Sequence, residues 1–120
     1  MPPTRLDAIA LLGNVGLMST PPRARPQPLS DDDVAAALTQ LDGWQGDTHQ
    51  LQRRVKAPTF AAGIALVDAV AVVADERDHH PDIDIRWTSI TFTLSTHSAG
   101  GVTDLDVVMA GRIDELTAAM

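Results

Sequence analysis

The segment at 59–96 constrains the fold most, because a helical pattern passes there directly into a strand pattern. Apolar residues recur at helical spacing over 60–74 and form a wide stripe, which is typical of a helix buried on more than one side. Pro81 ends this helix, since the residue before a proline is driven out of the helical region. Alternating apolar and polar residues then run over 85–96. This alternation predicts one strand, or two strands interrupted near Thr88.

Two further helices flank this segment. Ser30 is a good N-cap for a helix over 31–41, and Gly43 is the expected end of that helix. Thr103 is predicted to cap the last helix, with Asp106 at the position that completes a capping box. Both helices place apolar residues at helical spacing, so each is expected to bury one side.

A loosely alternating stretch over 48–55 predicts a further strand with one solvated face. The order is therefore helix, strand, helix, strands, helix, without an internal repeat. An antiparallel sheet with the helices gathered on one face fits this order. The sequence predicts a single α+β domain.

The chain has 120 residues, about one domain's worth. We assign the domain to residues 30–120 and treat residues 1–29 as an N-terminal extension. Prolines crowd the second half of that extension and give it the composition of a linker. The extension is expected to be disordered, or to reflect a start assigned too early, with Met18 as the true start.

Charge and composition exclude several classes of function. Nine Lys and Arg residues against sixteen Asp and Glu give a formal net charge of -7, so neither nucleic acid nor an anionic membrane is an expected partner. The absence of cysteine excludes disulfides and thiolate chemistry, and it is compatible with the cytoplasmic location that we expect. No apolar run approaches the roughly 18 residues that a membrane helix requires.

Histidines are the side chains best suited to proton transfer near neutral pH. The adjacent pair His79 and His80 lies where the long helix ends, and His97 closes a strand on its polar side. Three imidazoles at such positions can donate and accept protons around one ligand. His49 is expected to be a solvated surface residue.

Two other interpretations of the histidine pair remain open on spacing alone. The pair can simply terminate a helix, where positive charge is favourable. It can also ligate a metal, although the spacing matches no standard metal-binding pattern.

A longer pattern surrounds the pair. The segment DERDHHPDIDIRW, at 75–87, continues through TLSTH at 93–97 and on to a later aspartate. This arrangement resembles the signature of the pterin-4a-carbinolamine dehydratase family, and the resemblance covers roughly residues 30–118. The signature places are filled by Asp75, His79, His80, Pro81, Trp87, His97 and Asp106.

Residues outside the signature also match the family. Gly43 and Trp44 fall where the family has a Gly-Trp pair, and Phe60 falls where it has an aromatic residue. Ile83 stands where the animal-type pattern often has an aromatic residue.

The resemblance implies three helices packed against a four-stranded antiparallel sheet, in chains that assemble as homodimers or homotetramers. It also implies a reaction, the loss of water from 4a-hydroxytetrahydrobiopterin or a related pterin to give the quinonoid dihydropterin. The family needs no metal and no organic cofactor for this step. A non-catalytic binding or assembly protein on the same fold is the alternative.

The same resemblance suggests roles for individual residues. His79 and His80 are the acid and base candidates, in either order, and His97 is expected to hold the substrate and take part in proton transfer. Asp106 is favoured as a structural cap. The expected substrate-binding residues are Asp75, Asp78, Pro81, Trp44 and Trp87. Asp75 would bind the pterin's amino and ring nitrogens or stay solvated, and Asp78 would orient a histidine. Trp44 would form a pocket wall or a core contact. The strand alternation places Trp87 on the same strand face as His97, so Trp87 is expected to form a pocket wall or a subunit contact.

Overall fold

A computed structural model describes residues 26–120 and has the three helices and the four-stranded antiparallel sheet that were expected. A one-turn 3₁₀ helix, His97–Ala99, follows the last strand. The predictions for residues 1–25 lie outside the described residues. In chain order the elements are α1 Asp31–Gln40, β1 Gln45–Gly46, β2 Leu51–Lys56, α2 Phe60–Arg77, β3 Asp82–Arg86, β4 Ser89–Leu94 and α3 Asp104–Ala118.

The sheet has the strand order β1-β2-β4-β3, and every neighbouring pair is antiparallel. Alternation along the two central strands separates an apolar face from a polar face. The helices cover the apolar face, where the strand side chains are fully or almost fully buried. Those strand side chains are Leu51, Val55, Ile90, Phe92 and Leu94. The predicted α+β architecture is confirmed.

Helix α2 begins where the sequence predicts, but it ends earlier. The Thr59 hydroxyl accepts a hydrogen bond from the backbone N–H of Ala62 at 3.0 Å, as an N-cap residue does. The last helical residue is Arg77, and Asp78 has a left-handed backbone with φ of 50°. The helix therefore stops before Pro81 can act on it, because a left-handed residue already closes its C-terminus.

The break predicted near Thr88 is confirmed, because β3 and β4 form a hairpin that turns at Trp87 and Thr88. Trp87 has φ of 53° and is 74% exposed, and the Lys56 ammonium lies 5.3 Å from its ring centre. The expectation that Trp87 and His97 share a strand face is wrong. The hairpin places Trp87 before the first residue of β4, whereas His97 follows its last residue.

Helix α1 begins after Ser30, as predicted, and the Ser30 hydroxyl accepts from the backbone N–H of Asp33. It ends at Gln40 rather than at Gly43, which lies in the following turn with φ of 77°. Leu29 packs against the core, and its N–H donates to the carbonyl of Val102 at 2.9 Å. The packed unit thus includes Leu29, one residue before the expected boundary.

Strand β2 begins at Leu51, later than the sequence predicts, because the preceding residues form a tight turn. The Asp47 carboxylate accepts from the backbone N–H groups of His49 and Gln50. The hydrogen bond from the His49 N–H lowers the pKa of Asp47 below its ordinary value. A side chain that bonds to its own backbone in this way favours a turn over a strand.

An aspartate on α3 connects this helix to the first two strands. One oxygen of Asp114 accepts from the Trp44 indole N–H at 2.6 Å and from the Arg53 guanidinium at 2.5 Å. The other accepts from the backbone N–H of Asp42. Trp44 is only 7% exposed and belongs to the core. Among residues 26–120, no helix is long and apolar enough to cross a membrane.

Candidate active site

The three histidines of the signature line one cleft of about 300 Å³. The end of α2 brings His79 and His80 to it, and the residues after β4 bring His97. The start of α3 closes the remaining side. The lining residues are Asp78, His79, His80, Ser95, Thr96, His97, Ser98 and Leu105.

His79 is the most firmly held of the three imidazoles. Its Nε2 atom lies 2.6 Å from Oδ1 of Asp106, and its side chain is only 11% exposed. Asp106 is fully buried. An ionised carboxylate only accepts hydrogen bonds, so Nε2 of His79 carries the proton of this contact. Nδ1 is left as the nitrogen that can accept a proton from a ligand.

The capping box explains why Asp106 lies at this point. It occupies the third position of α3, and its Oδ2 atom accepts from the backbone N–H of Thr103 at 2.9 Å. The helix N-terminus also favours a negative charge. The expected cap is therefore confirmed, but it uses only one carboxylate oxygen. The other oxygen binds His79, which the sequence interpretation of Asp106 did not include.

His80 has a more open environment. Its Nε2 atom lies 2.9 Å from Oδ1 of Asp75, on the last turn of α2, and the two side chains are 55% and 81% exposed. Water and salt screen a pair this exposed, so it contributes little to folding stability. The contact still gives the His80 ring a preferred orientation beside the cleft.

His97 lies in the 3₁₀ helix and is exposed. Its imidazole makes no hydrogen bond to another side chain within residues 26–120. The cleft thus contains one imidazole fixed by a buried carboxylate, one beside an exposed carboxylate, and one that remains free to meet a ligand.

The structure separates the remaining expected site residues into two groups. Asp78 lines the cleft, although the carboxylates that contact the histidines are Asp75 and Asp106. Pro81 follows the histidine pair and is half-buried. Trp44 lies in the core with Asp114, and Trp87 lies in the hairpin turn, so neither tryptophan lines the cleft.

Four residues of the cleft were missed as site residues: Ser95, Thr96, Ser98 and Leu105. Leu105 was expected only in the apolar stripe of α3, but it is 42% exposed and lines the cleft. Thr96 is buried and donates its hydroxyl proton to Oδ2 of Asp106 at 2.8 Å. The sequence contains one signal for Thr96: it is a polar residue directly before the candidate site residue His97. Within residues 26–120, no group of three His, Asp or Glu side chains is arranged to hold a metal ion.

The fold and the cleft together define a class, a small α+β protein in which three imidazoles line one pocket and a buried carboxylate holds one of them. Comparison with known proteins specifies the family. The family profile described as Pterin 4 alpha carbinolamine dehydratase matches residues 27–116. The chain belongs to this family.

Individual relatives agree with this assignment. A Nocardia farcinica protein named "Putative pterin-4-alpha-carbinolamine dehydratase" is 54% identical over 88 residues, which cover 73% of this chain and 93% of that protein. A protein of the same name from Mycolicibacterium smegmatis is also 54% identical, over 73% of this chain and 94% of its own length.

Solved structures show the same fold. A transcriptional coactivator/pterin dehydratase from Brucella melitensis has a TM-score of 0.73 at 31% identity, over 76% of this chain and 99% of that one. A pterin dehydratase-like protein, described as a RuBisCO assembly factor in the alpha-carboxysome, has a TM-score of 0.52 at 28% identity. That match covers 62% of this chain and 86% of the other.

Proposed function

We propose that this protein is a 4a-hydroxytetrahydrobiopterin dehydratase, a carbon–oxygen lyase that uses histidines as general acid and base. One observation carries the proposal: His79, held by the buried Asp106, shares a cleft with His80 and His97. The family membership gives the substrate class, a pterin that carries a hydroxyl group at C4a.

The reaction needs two proton transfers. A proton is delivered to the 4a-hydroxyl, the C4a–O bond breaks and water leaves. The electron pair of the neighbouring ring nitrogen forms a carbon–nitrogen double bond, and a base accepts a ring N–H proton. No oxidation occurs, and imidazole suits both transfers because its ordinary pKa is near neutrality.

We assign His79 to one of these transfers, at Nδ1. Asp106 holds the opposite ring nitrogen, which fixes the tautomer and the ring orientation as the carboxylate of a catalytic triad does. His80 and His97 line the same cleft, and we assign the second transfer to one of them and pterin binding to the other. Asp75 orients His80 and can accept from the pterin's amino group.

The protein is expected to act in the cytoplasm on a pterin that has just been released as a carbinolamine. A chain without cysteine needs no oxidising compartment to fold. The product is a quinonoid dihydropterin, which is then available for reduction and reuse.

The test follows the dehydration of a freshly generated 4a-hydroxytetrahydropterin by stopped-flow absorbance, with the uncatalysed reaction as the blank. Wild type should accelerate water loss. His79→Ala should lower kcat/KM about 100-fold or more, the usual contribution of a general acid or base. Of His80→Ala and His97→Ala, the variant that removes the second proton-transfer group should show a similar loss, and the other should mainly raise KM.

His49→Ala is the matched control, because His49 is an exposed histidine in the turn before β2 and does not line the cleft. This variant should keep the wild-type rate. A folded wild-type protein that gives no acceleration above the blank would eliminate the dehydratase proposal.

A non-catalytic assembly or binding protein is the second candidate. The observation in its favour is the structural likeness to the RuBisCO assembly factor. Against it, a scaffold has no physical need for a histidine fixed by a fully buried carboxylate in an open cleft. The same assay separates the two candidates, since only the dehydratase loses a measurable rate when His79 is replaced.

A further inference from the structure

Two threonine hydroxyls lie behind the His79–Asp106 pair. The Oγ1 atom of Thr96, just after β4, is 2.8 Å from Oδ2 of Asp106 and 2.7 Å from the Thr103 hydroxyl. Thr96 is 5% exposed, and Thr103 is fully buried, as is Asp106. Three polar side chains are therefore shielded from water and depend on one another for hydrogen bonds.

The number of protons fixes the direction of each hydrogen bond. A threonine hydroxyl has one proton, and that of Thr96 is donated to Asp106. In the contact between the two threonines the donor must then be Thr103. The Thr103 oxygen in turn accepts from the backbone N–H of Leu105 at 3.2 Å. Every donor of the network thus points towards the carboxylate.

The carboxylate takes part in three hydrogen bonds as a result. Its Oδ2 atom receives the Thr96 hydroxyl and the backbone N–H of Thr103, which leaves Oδ1 directed at His79. A carboxylate held at one oxygen by two donors cannot rotate freely. The position of its other oxygen, and with it the His79 ring, is then determined by the network.

We propose that Thr96 and Thr103 are positioning residues, which hold Asp106 so that it keeps His79 protonated at Nε2 and free to exchange a proton at Nδ1. The consequence for the rate rests on the proposed dehydratase activity, whereas the consequence for the His79 tautomer does not. Neither threonine is required to touch the substrate. Their effect is expected in kcat and not in KM, because they act on proton transfer through His79.

The experiment compares Thr96→Val, which has nearly the same shape but no hydroxyl, with Thr96→Ser, which keeps the hydroxyl. In ¹⁵N-labelled protein, the His79 ring should show a protonated Nε2 that exchanges slowly with water in wild type and in Thr96→Ser. In Thr96→Val that proton signal should be broadened or lost. The kcat for pterin dehydration should fall about tenfold, with KM within twofold.

Thr88→Val is the matched control. Thr88 is also a buried threonine, 5% exposed, and its hydroxyl has no hydrogen-bond partner within residues 26–120. It lies in the hairpin turn, outside the cleft. Its replacement should leave both the His79 signal and kcat unchanged.

Thr103→Val keeps the hydrogen bond from the Thr103 backbone N–H to Asp106, so it should lower kcat less than Thr96→Val does.

The outcomes are separable. If the Nε2 proton signal and kcat of folded Thr96→Val match wild type, the positioning proposal is wrong. If Thr96→Val fails to fold, Thr103→Val decides the question by the same two measurements. If the signal changes as expected but wild type dehydrates no pterin, the positioning of His79 stands and the proposed function fails.

Discussion

At the scale of residues, the carboxylates of two aspartates on α3, Asp106 and Asp114, have similar hydrogen bonds but different roles. Each accepts hydrogen bonds from three other residues. The partners of Asp114 are an indole, a guanidinium and a backbone N–H, none of which acts as an acid or a base near neutral pH. The partners of Asp106 include an imidazole, which does. Asp114 therefore joins α3 to the first two strands, whereas Asp106 holds the side chain to which we assign a proton transfer.

The two tryptophans provide a test at this scale. Trp44→Phe keeps an aromatic ring in the core but loses the N–H donated to Asp114, so the free energy of unfolding should fall by about 1–2 kcal/mol. Trp87→Phe, at an exposed turn, should change it by less than about 0.5 kcal/mol. Denaturation in guanidinium chloride measures both.

Both tryptophan variants should keep KM for the pterin within twofold, because neither residue lines the cleft. A clear rise in KM for Trp44→Phe would contradict the placement of Trp44 in the core and indicate that it contacts the substrate.

At the scale of elements, glycines show how closely α2 approaches the sheet. A Cβ atom at Gly63, on α2, would lie 3.2 Å from Cδ1 of Ile90 and 3.4 Å from Cβ of Ala57. A Cβ atom at Gly111, on α3, would have no neighbour within 4 Å. The absence of a side chain therefore matters for packing at Gly63 and not at Gly111.

Gly111→Ala should stabilise the protein by about 0.5–1 kcal/mol, the ordinary gain from replacing glycine inside a helix. Gly63→Ala should gain less, because the contact with Ile90 offsets part of the helical preference. Gly63→Val should destabilise, since extra volume in a packed core costs about 1–3 kcal/mol. Thermal and chemical unfolding of the three variants test this order. A gain at Gly63→Ala equal to that at Gly111→Ala would contradict the close approach of α2.

At the scale of the whole molecule, the outer edge of β3 pairs with no other strand among residues 26–120. Ile85 on this strand is 41% exposed. An unpaired strand edge presents free backbone N–H and C=O groups that can pair with another chain. We propose that this edge contributes to the homodimer or homotetramer that the sequence led us to expect.

Light scattering on a size-exclusion column should give a mass of two or four chains for wild type. Ile85→Lys should lower that mass, because it replaces the exposed apolar residue of this edge strand with a charge. Gln45→Lys lies on the opposite edge, in a strand of only two residues, and should leave the mass unchanged. A monomeric wild type would contradict the expected assembly, and an unchanged mass for Ile85→Lys would exclude the β3 edge.

The elements that the sequence predicted well are those defined by neighbours along the chain. The N-caps at Ser30, Thr59 and Thr103 all form as expected, because each needs only a side chain and the N–H groups two or three residues further on. The end of α2 was placed too late. Pro81 is a strong local signal, but the left-handed backbone of Asp78 ends the helix first.

The sequence by itself determined the fold class, the helix starts and the histidines that form the cleft, since periodicity, capping and a specific signature are properties of the chain. Only the tertiary structure decided which groups act on those histidines. Contacts between residues 10 to 70 positions apart pair His79 with Asp106, support Asp106 from Thr96 and hold Trp44 in the core. Such contacts depend on how α3 packs beside α2 and β4, and no local pattern specifies that geometry.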